Sequence, residues 1–395
     1  MTEQLGARRA HVAQSLRRGL LAIALLVGCG TQQTLRVATS GDYPPFTTEA
    51  PDGTRSGLDV AIAMRLSTDL GMPLEWVPLS WPELAAATVR GDFDVALSGI
   101  TMTADRAVIG RYTRPYASTR AVAVIRPADA RRWKTVSDLN RPGVQIVVNT
   151  GGHLEAVARK TFPRAKVTTV PNNRLVVAFT DRAVDAVVTD NAELSAWPDP
   201  SKPIALPPLS VDDKAPLLPA DHAELAAQID DWLMAREEDG WLDAERVRAL
   251  GPSAALDAAG AARQAVAALV SLRLSLMPDV GAAKRADNKP IADPEQEKRV
   301  LEKAREAVPS APDRAVAVYT QLIEMAKAAQ NKPTPYKSAG PSLNTLRAAL
   351  GRIDETLCRE LDRLPVSTTS EWKIALQPIG APPAAIDKLA AALTS

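Results

Sequence analysis

Six polar side chains in the last third of the chain have types and spacings that could bind a small anion. They are Arg273, Lys284, Asp293, Glu297, Gln330 and Arg347. The first two are cations 11 residues apart. At 100° per residue that separation is three turns plus about 20°, so both are predicted on one face of a helix. The two carboxylates are spaced i, i+4 at the start of the next predicted helix. Cations, carboxylates and an amide directed into one helical bundle suit a small, doubly anionic, hydroxylated substrate.

The elements that must position these residues are helices, because no convincing strand pattern occurs after about residue 255. Residues 255–288 are predicted to form one long helix, which Pro278 should kink. Further helices are predicted over 291–307, 313–330, 344–364 and 383–393. The composition changes near residues 251–253, so the sequence predicts an all-α helical-bundle domain over 255–395.

The spaced pattern R-x10-K-x5-P-[IV]-x-D-x3-E, followed by a helix that ends in Gln330, resembles the all-helical chorismate mutases. The length of the domain is similar to the secreted subtype, in which one chain builds a whole site and a later helix supplies an Arg. Arg347 is at the matching position. The alternative is that these residues are solvated charges on surface helices.

This resemblance implies how the cations and the amide would act. Chorismate carries two carboxylates, and negative charge gathers on its ether oxygen during the rearrangement to prephenate. Arg273 and Arg347 would hold the carboxylates as bidentate forks. Lys284 and Gln330 would donate to the ether oxygen, which favours the transition state over the ground state. No covalent or acid–base step would be needed.

The resemblance also assigns the two carboxylates and exposes two departures. Asp293 and Glu297 would orient the ring hydroxyl and the backbone. The family commonly has an Arg where this chain has Gln296, and a hydroxyl residue where it has Ala326. One substrate carboxylate would therefore be held more weakly, or by Lys298.

Between residues 34 and 250 the chain alternates β-rich runs with amphipathic helical patterns. Predicted strands lie at 35–39, 93–99, 144–149 and 185–190, and predicted helices include 57–71 and 222–240. The alternation predicts an α/β domain with parallel sheets.

This segment resembles the periplasmic solute-binding fold of amino-acid transporters. The matching stretches are VATSGDYPPF (37–46), GLDVAIAMRL (57–66), FDVALSGITMTADR (93–106) and VDAVVTDN (184–191). The resemblance implies two α/β lobes that close over a ligand in the cleft between them. Lobe one would cover about 34–115 and 205–250, lobe two about 120–200, and the hinge would lie near 114–119 and 202–209.

Within that fold the chain resembles exported cyclohexadienyl dehydratases, which act on prephenate or arogenate. The matching stretches are SWP (80–82), NTGGHLE (149–155), TD (189–190) and KAPLLP (214–219). The enzyme family usually has N-x-G-G-T-N-E where this chain has NTGGHLE, so the Thr and Asn are replaced while the glycines and Glu155 are kept.

A dehydratase of this kind requires a proton donor. Prephenate aromatises by losing CO2 and its ring hydroxyl, and the hydroxyl must leave as water. The donor must be protonated near neutral pH, which means a carboxyl in a desolvated pocket. Glu155 is the candidate by position, in a Gly-Gly loop that should open a helix. The alternative is that Glu155 is only a helix N-terminal carboxylate.

The same resemblance implies how the substrate is bound. Arg106 would fork onto the α-carboxylate, helped by Thr101 and by main-chain groups near Ser98. Asp190 pairs with an α-amino group in transporters; here it would serve arogenate, or contact prephenate less favourably.

Aromatic side chains complete the implied cleft. Tyr43 and Trp81 would form walls around the substrate ring, with core packing as the alternative for Trp81. His153 is expected in a surface loop. The sequence has no metal-ligand spacing, no phosphate-binding loop and no dinucleotide fingerprint, so it predicts no cofactor.

The two resemblances support each other, because prephenate is the product of one reaction and a substrate of the other. The sequence therefore predicts a bifunctional enzyme: an α/β two-lobed periplasmic-binding-protein-like domain (34–250) followed by an all-α helical-bundle domain (255–395). The alternative function is an amino-acid or aromatic-acid binding protein of a transporter that carries a helical appendage. The predicted partners are small-molecule substrates.

Charge and the N-terminus indicate where the protein acts. A formal charge of +1 gives no support for a nucleic-acid partner. A cluster of arginines precedes the apolar run 19–28, which ends before Cys29. This pattern predicts a signal peptide of lipoprotein type over 1–28, lipidation of Cys29, and a periplasmic protein that reaches the membrane only through its lipid. An ordinary secretory signal is the alternative.

Cysteine usage agrees with this interpretation. The only other cysteine, Cys358, is expected as a buried apolar residue of a helix, so no intrachain disulfide is predicted if Cys29 carries lipid. The number of chains in the assembly is left open.

Overall fold

A computed structural model of the chain describes residues 33–197, 203–332 and 340–394. The predicted signal peptide and Cys29 lie outside the described residues. In this described part, fifteen short strands lie between residues 35 and 219. The described residues of the final third of the chain are built from helices alone.

The strands and helices follow in chain order. The first run contains β1 (Leu35–Thr39), β2 (Asp42–Tyr43), β3 (Thr47–Glu49), β4 (Arg55–Ser56), α1 (Leu58–Leu70), β5 (Leu74–Pro78), α2 (Leu84–Arg90), β6 (Val95–Ala96), α3 (Ala104–Ile109) and β7 (Gly110–Tyr112). The second contains β8 (Ala117–Thr119), β9 (Ala121–Ile125), α4 (Val136–Leu139), β10 (Gln145–Asn149), α5 (His153–Thr161), β11 (Lys166–Val170), α6 (Leu175–Thr180), β12 (Ala186–Asp190), α7 (Asn191–Leu194), β13 (Ile204–Ala205) and β14 (Asp212–Lys214).

The remaining elements begin with one strand and are then helical. They are β15 (Leu217–Pro219), α8 (Ala223–Glu238), α9 (Trp241–Leu250), α10 (Ala258–Ser275), α11 (Met277–Ala286), α12 (Pro294–Ala307), α13 (Pro312–Gln330), α14 (Leu343–Asp362), α15 (Thr369–Leu376) and α16 (Pro383–Thr394).

The predicted two lobes are confirmed, each built on a five-stranded sheet. The strand order is β5-β1-β6-β15-β7 in lobe one and β11-β10-β12-β9-β13 in lobe two. The sheets are mixed rather than parallel as predicted, because β15 runs antiparallel to β6 and β9 runs antiparallel to β12. Both are the first strands after the chain crosses between lobes, so they enter their sheets in the opposite direction.

The lobes are joined by a two-stranded antiparallel ladder of β8 and β14, in which Asp212 faces Thr119 and Lys214 faces Ala117. The first predicted hinge segment is in place. The second was placed too early, because the chain near Leu206 and Leu209 still hydrogen-bonds to lobe two: their N–H groups donate to Ala123 and Ala121 at 2.9 and 2.8 Å. The second crossing therefore follows residue 209.

The helix predicted over 255–288 is two helices, α10 and α11, which meet at Leu276. Pro278 lies in the first turn of α11, where its missing N–H costs nothing. By length and composition, the stretch Ala258–Ala286 could cross a membrane, because it contains an 18-residue window with a mean hydropathy of 1.4. Since 67% of that window is buried inside the protein, we interpret the stretch as the core of the bundle.

Helix α14 joins the bundle to lobe one. It packs against α10 within the bundle and against α3 and β7 of the lobe. The Arg352 guanidinium donates to the carbonyls of Ala107 and Gly110 at the end of α3, at 2.9 and 3.0 Å. As expected, Cys358 is a buried residue of this helix, and burial raises the pKa of its thiol to about 11.

Candidate active sites

All six polar residues singled out in the helical domain line one cavity of about 100 Å³. Helices α10 and α11 bring Arg273 and Lys284, α12 brings Glu297, α13 brings Gln330, and α14 brings Arg347. Arg273, Lys284 and Gln330 are each less than a tenth exposed. The alternative of separate solvated surface charges therefore does not describe this set.

Arg273 is held so that part of its guanidinium stays free. Its Nε donates to Asp354 Oδ1 at 2.9 Å, and the hydroxyl of Tyr319 donates to the same oxygen at 3.1 Å. Its Nη1 is buried without a hydrogen-bond partner. A buried unpaired donor carries a free-energy cost, so the geometry favours an acceptor supplied by a ligand.

Lys284 and Gln330 present a second set of donors. The Lys284 ammonium donates to the Ile291 carbonyl at 2.7 Å, and desolvation lowers its pKa with help from the Arg347 charge. The amide oxygen of Gln330 is buried without a partner, and its nitrogen has only a long contact to a Met277 sulfur, at 3.5 Å. Gly281 permits this placement, because a Cβ there would approach the Gln330 Cα within 2.9 Å.

The two carboxylates begin helix α12. Asp293 is its N-cap and accepts from the Gln296 N–H at 3.0 Å, while Glu297 accepts from the Asp293 N–H at 3.3 Å. Arg347 lies 3.9 Å from the Asp293 carboxylate. Both acids thus stabilise the helix start and face the cavity.

The departures at Gln296 and Ala326 both fall on the cavity lining. The prediction that Lys298 could compensate is wrong, because its side chain is 71% exposed and lies 3.9 Å from Glu302 on the outer face of the helix. A different cation, Lys327, lines the cavity, with its Nζ 3.4 Å from Glu297 Oε2.

The second candidate site is the cleft between the lobes. Its lining includes four predicted residues, Tyr43, Trp81, Thr101 and Arg106, and also Asn149, His153 and Lys214. Ser98 does not line it: its hydroxyl bonds to Ser40 at 2.8 Å beneath the surface.

The cleft is closed in this structure. The Asn172 amide of lobe two donates to the Asp42 carbonyl of lobe one at 2.7 Å. Gly151, at φ +77°, lies so close to Pro82 that a Cβ would come within 2.9 Å of its ring. His153 is a cleft residue rather than the surface residue expected, and its Nε2 lies 2.8 Å from the buried Asp212 carboxylate.

The substrate-binding side chains predicted on lobe one are grouped around Thr101. The Arg106 guanidinium donates to the Thr101 carbonyl at 2.9 Å. Tyr43 and Trp81 meet edge to face with ring centroids 5.8 Å apart, and the Trp81 indole N–H is buried without a partner. An aromatic wall beside a free cation suits a ring that carries a carboxylate.

The partners of Glu155 in this structure favour the ionised form of its carboxyl. It accepts from the Gly151 N–H at 2.8 Å and from Arg159 at 2.9 Å. Partial burial opposes ionisation, but these two donors outweigh it and lower the pKa of the carboxyl. Glu155 is therefore ionised near neutral pH. It fits the alternative of a helix N-terminal carboxylate, since α5 begins two residues before it.

Glu193 has the environment that Glu155 lacks. It is 4% exposed on α7, and burial raises the pKa of its carboxyl to about 7. Thr189 and Asn172 donate to it at 2.5 and 3.1 Å. It lies at the closed lobe interface, close enough for its charge to raise the pKa of Tyr43. Asp59 also has a pKa of about 7, but its carboxyl is engaged below the cleft by the Gly99 N–H.

The sequence of residues 35–248 matches the bacterial extracellular solute-binding proteins, family 3. The chain belongs to this family. Residues 264–331 match chorismate mutase type II. The matched segment extends from α10 to the end of α13. The two-domain organisation is therefore a solute-binding domain followed by a chorismate mutase domain.

Relatives of this solute-binding domain include an enzyme and transport proteins. Cyclohexadienyl dehydratase of Pseudomonas aeruginosa is 34% identical over 213 residues, which are 53% of this chain and 79% of that protein. The L-arginine-binding protein of the same organism is 26% identical over 184 residues, or 44% of this chain and 67% of that protein.

Two solved structures are similar to more than half of this chain. An ancestral amino acid-binding protein described as a precursor of cyclohexadienyl dehydratase matches with a TM-score of 0.53 and 27% identity, covering 56% of this chain and 96% of that one. A mutant of ArgBP from T. maritima matches with a TM-score of 0.51 and 25% identity, covering 55% and 95%.

Sequence reasoning missed two cleft-region residues of this solute-binding-family protein. The sequence indicates Lys214 only as part of the matching stretch 214–219, and no motif in it contains Glu193. A carboxylate three residues after the Thr189-Asp190 pair is a weak signal by itself. Its burial depends on Asn172 and Tyr43, which are distant in sequence.

Proposed function

We propose that this chain is a bifunctional enzyme that converts chorismate to prephenate in the helical domain. It then converts prephenate to phenylpyruvate, or arogenate to phenylalanine, in the cleft of the α/β domain. The observation that carries the first activity is the convergence of the six polar residues on one cavity. The second activity is supported by 34% identity to a cyclohexadienyl dehydratase and by the buried Glu193 carboxyl at the interface of the lobes.

In the mutase site, Arg273 and Arg347 bind the two carboxylates of chorismate. The unpaired Nη1 of Arg273 supplies one of these contacts. Lys284 and the amide of Gln330 line the same cavity and donate to the ether oxygen as charge builds on it. They stabilise the transition state more than the substrate. The reaction is a rearrangement, so the site contributes orientation and fixed dipoles and transfers no proton.

In the dehydratase site, Arg106 binds a substrate carboxylate and Tyr43 and Trp81 contain the ring. Glu193, in place of Glu155, donates its proton to the ring hydroxyl. The C–O bond breaks and water leaves. The ring carboxylate leaves as CO2, and its bonding electrons complete the aromatic ring. The residual Glu193 carboxylate takes a proton from solvent, so one turnover consumes one proton. A pKa of about 7 makes this donor available near neutral pH.

The test is to incubate purified protein with chorismate and to follow its loss together with the appearance of prephenate and phenylpyruvate. Both steps are expected in the wild-type chain. Arg273→Ala should leave chorismate unconverted, and Glu193→Gln should accumulate prephenate. Prephenate accumulation in the wild type would leave the α/β domain as a binding module, and no turnover at all would refute the proposal.

A binding-protein function is the rival, because several relatives bind amino acids. It gives no role to the cavity of the helical domain. Isothermal titration with L-arginine and L-cystine distinguishes the two: tight amino-acid binding without turnover of chorismate or prephenate would favour the rival.

The cellular location of the protein is a separate proposal. The family is extracellular by description, which agrees with export. We infer in addition that Cys29 carries a lipid. The wild-type chain expressed in a bacterium should partition into a detergent phase, and Cys29→Ser should move it to the aqueous phase. Aqueous partition of both chains would refute lipidation.

A further inference from the structure

The Lys214 ammonium is placed inside the cleft by the hinge. Lys214 ends strand β14, which pairs with β8, and its backbone forms an additional bridge with Thr101. The side chain is almost fully buried and lines the cavity. Its Nζ lies 3.2 Å from Asp190 Oδ2, 3.0 Å from Thr101 Oγ1 and 3.3 Å from the Tyr43 hydroxyl.

The Asp190 carboxylate is fully used by the protein. It has no exposed surface. One oxygen accepts from the Ala192 N–H at 2.8 Å, and the other accepts from the Thr119 hydroxyl at 2.5 Å while it pairs with Lys214. A ligand ammonium that approached this carboxylate would meet an ammonium already in place and would be repelled by it.

Two other buried carboxylates near the cleft are also engaged by the protein, since Glu193 accepts from Thr189 and Asn172 at 2.5 and 3.1 Å. Asp212 pairs with His153 at 2.8 Å and carries a lowered pKa because that contact and the Lys214 charge outweigh its burial. Arg106 uses one donor on Thr101 and faces the cavity with the rest of its guanidinium. Arg106 thus presents a cation to the ligand, while Lys214 is already paired with Asp190, which suits an acid that carries no amine.

We propose that the Lys214–Asp190 pair makes this cleft select a 2-oxo acid against the corresponding amino acid, because the protein supplies internally the cation that an amino acid would bring. In terms of the proposed function, on which this inference rests, prephenate is preferred to arogenate. Lys214 is a specificity-determining residue of the cleft.

The first test is binding by the full-length chain, measured by titration calorimetry with phenylpyruvate and L-phenylalanine. These two probes differ only in the 2-oxo or 2-amino group. The oxo acid is expected to bind at least about tenfold more tightly, equivalent to about 1.4 kcal/mol. Equal affinity, or tighter binding of the amino acid, would overturn the proposal.

The second test uses charge-matched variants. Lys214→Met frees Asp190, so affinity for L-phenylalanine should rise at least about tenfold relative to phenylpyruvate. The double variant Lys214→Met/Asp190→Asn lacks the freed carboxylate and should lose that gain. Chorismate mutase activity in the same preparations is the folding control, because Lys214 lies in the other domain. An unchanged selectivity in folded Lys214→Met would contradict the inference.

A third variant covers the case in which Lys214→Met does not fold, since a buried carboxylate left unpaired is costly. Asp190→Asn keeps the cation and removes the carboxylate, so it must not gain affinity for L-phenylalanine. A gain would mean that Lys214 does not exclude an ammonium.

Kinetics separate this inference from the proposed function. The ratio of kcat/KM for prephenate over arogenate should be at least about 10 in the wild type and should fall in Lys214→Met. Equal kcat/KM values would refute the selectivity while the dehydratase function stands. Selective binding of the oxo acid without turnover would refute the dehydratase function while the selectivity stands.

Discussion

Glu155 and Glu193 show how position in the sequence and position in the fold give different assignments for one chemical role. Both are glutamates of lobe two near the start of a short helix. Glu155 accepts hydrogen bonds from the Gly151 N–H and from the Arg159 guanidinium, and these contacts lower the pKa of its carboxyl. Glu193 is enclosed by the closed lobes, beside Asp190, and its pKa is raised. Desolvation therefore decides which of the two carries a proton at neutral pH.

This difference predicts the pH dependence of dehydration. Because Glu193 must be protonated and its pKa is raised to about 7, kcat for prephenate should be highest below that pH and should fall as pH rises through it. Glu193→Gln should lower kcat about 100-fold or more and remove this limb of the profile. Rates are measured from the ultraviolet absorbance of phenylpyruvate between pH 5.5 and 9.

The matched control is Glu155→Gln, which alters a carboxyl that is already ionised and faces Arg159. It should keep most of the wild-type rate and the same profile. Full activity in Glu193→Gln together with a large loss in Glu155→Gln would restore the assignment made from sequence.

A second residue-scale prediction concerns Lys327. Its ammonium lies 2.6 Å from Glu324 and 3.4 Å from Glu297, and it partly offsets the Glu297 charge that a dianionic substrate would meet. Lys327→Met should raise KM for chorismate about fivefold, corresponding to roughly 1 kcal/mol for a partly exposed pair, with a smaller change in kcat. Lys298→Met is the control, because Lys298 follows Glu297 on α12 but lies outside the cavity, and this variant should behave as wild type. Equal effects of the two variants would exclude this role.

At the scale of elements, helix α14 carries two functions on one face and its flank. Arg347 and Asp354 serve the mutase cavity, while Arg352 and Thr356 contact lobe one. Residues 347, 350 and 354 recur at helical spacing: the first two line the cavity, and Asp354 holds Arg273. A single helix therefore fixes both the substrate-binding arginine and the position of the bundle on the lobe.

The contacts of Arg352 predict a measurable contribution to stability. Its guanidinium donates to three carbonyls at the end of α3, those of Ala107, Val108 and Gly110. Arg352→Ala leaves these acceptors without a charged donor and should lower the free energy of unfolding by about 2 kcal/mol. Urea unfolding followed by circular dichroism measures the change. Arg305→Ala, an exposed control, should change it by less than about 0.5 kcal/mol.

Elements with a strong periodic pattern were predictable from the sequence, and so was the mutase cavity. The spacing from Arg273 to Glu297 depends on local helical geometry and one turn, so it survived the break at Leu276. The sequence analysis did not predict helices α9 and α15. Thr368 and Glu371 form a capping box at the start of α15, which is a sequence signal for that helix. The mixed strand directions and the Glu193 environment depend on contacts between distant segments, which no local pattern encodes.

At the scale of the whole molecule, the two domains share a core. One apolar cluster extends without a break from Phe93 and Leu217 of lobe one to Leu269 and Leu357 of the bundle. Buried charges also cross the boundary, since Arg114 lies 3.4 Å from Glu360. The bundle therefore contributes part of the environment that stabilises lobe one.

This shared core predicts how the chain unfolds. In a calorimetric scan the full-length protein should give one cooperative transition, because apolar surface and buried ion pairs couple the domains. A chain that ends at Ala254 exposes the lobe side of that core and leaves Arg114 without Glu360. Its transition should fall by roughly 5 °C or more, since about 2–4 °C corresponds to each kcal/mol in a domain of this size. It should also bind a hydrophobic dye more strongly than the full-length chain. Two separate transitions in the full-length protein, with the truncated chain melting at the temperature of one of them, would show that the domains are independent and that the fusion only tethers them.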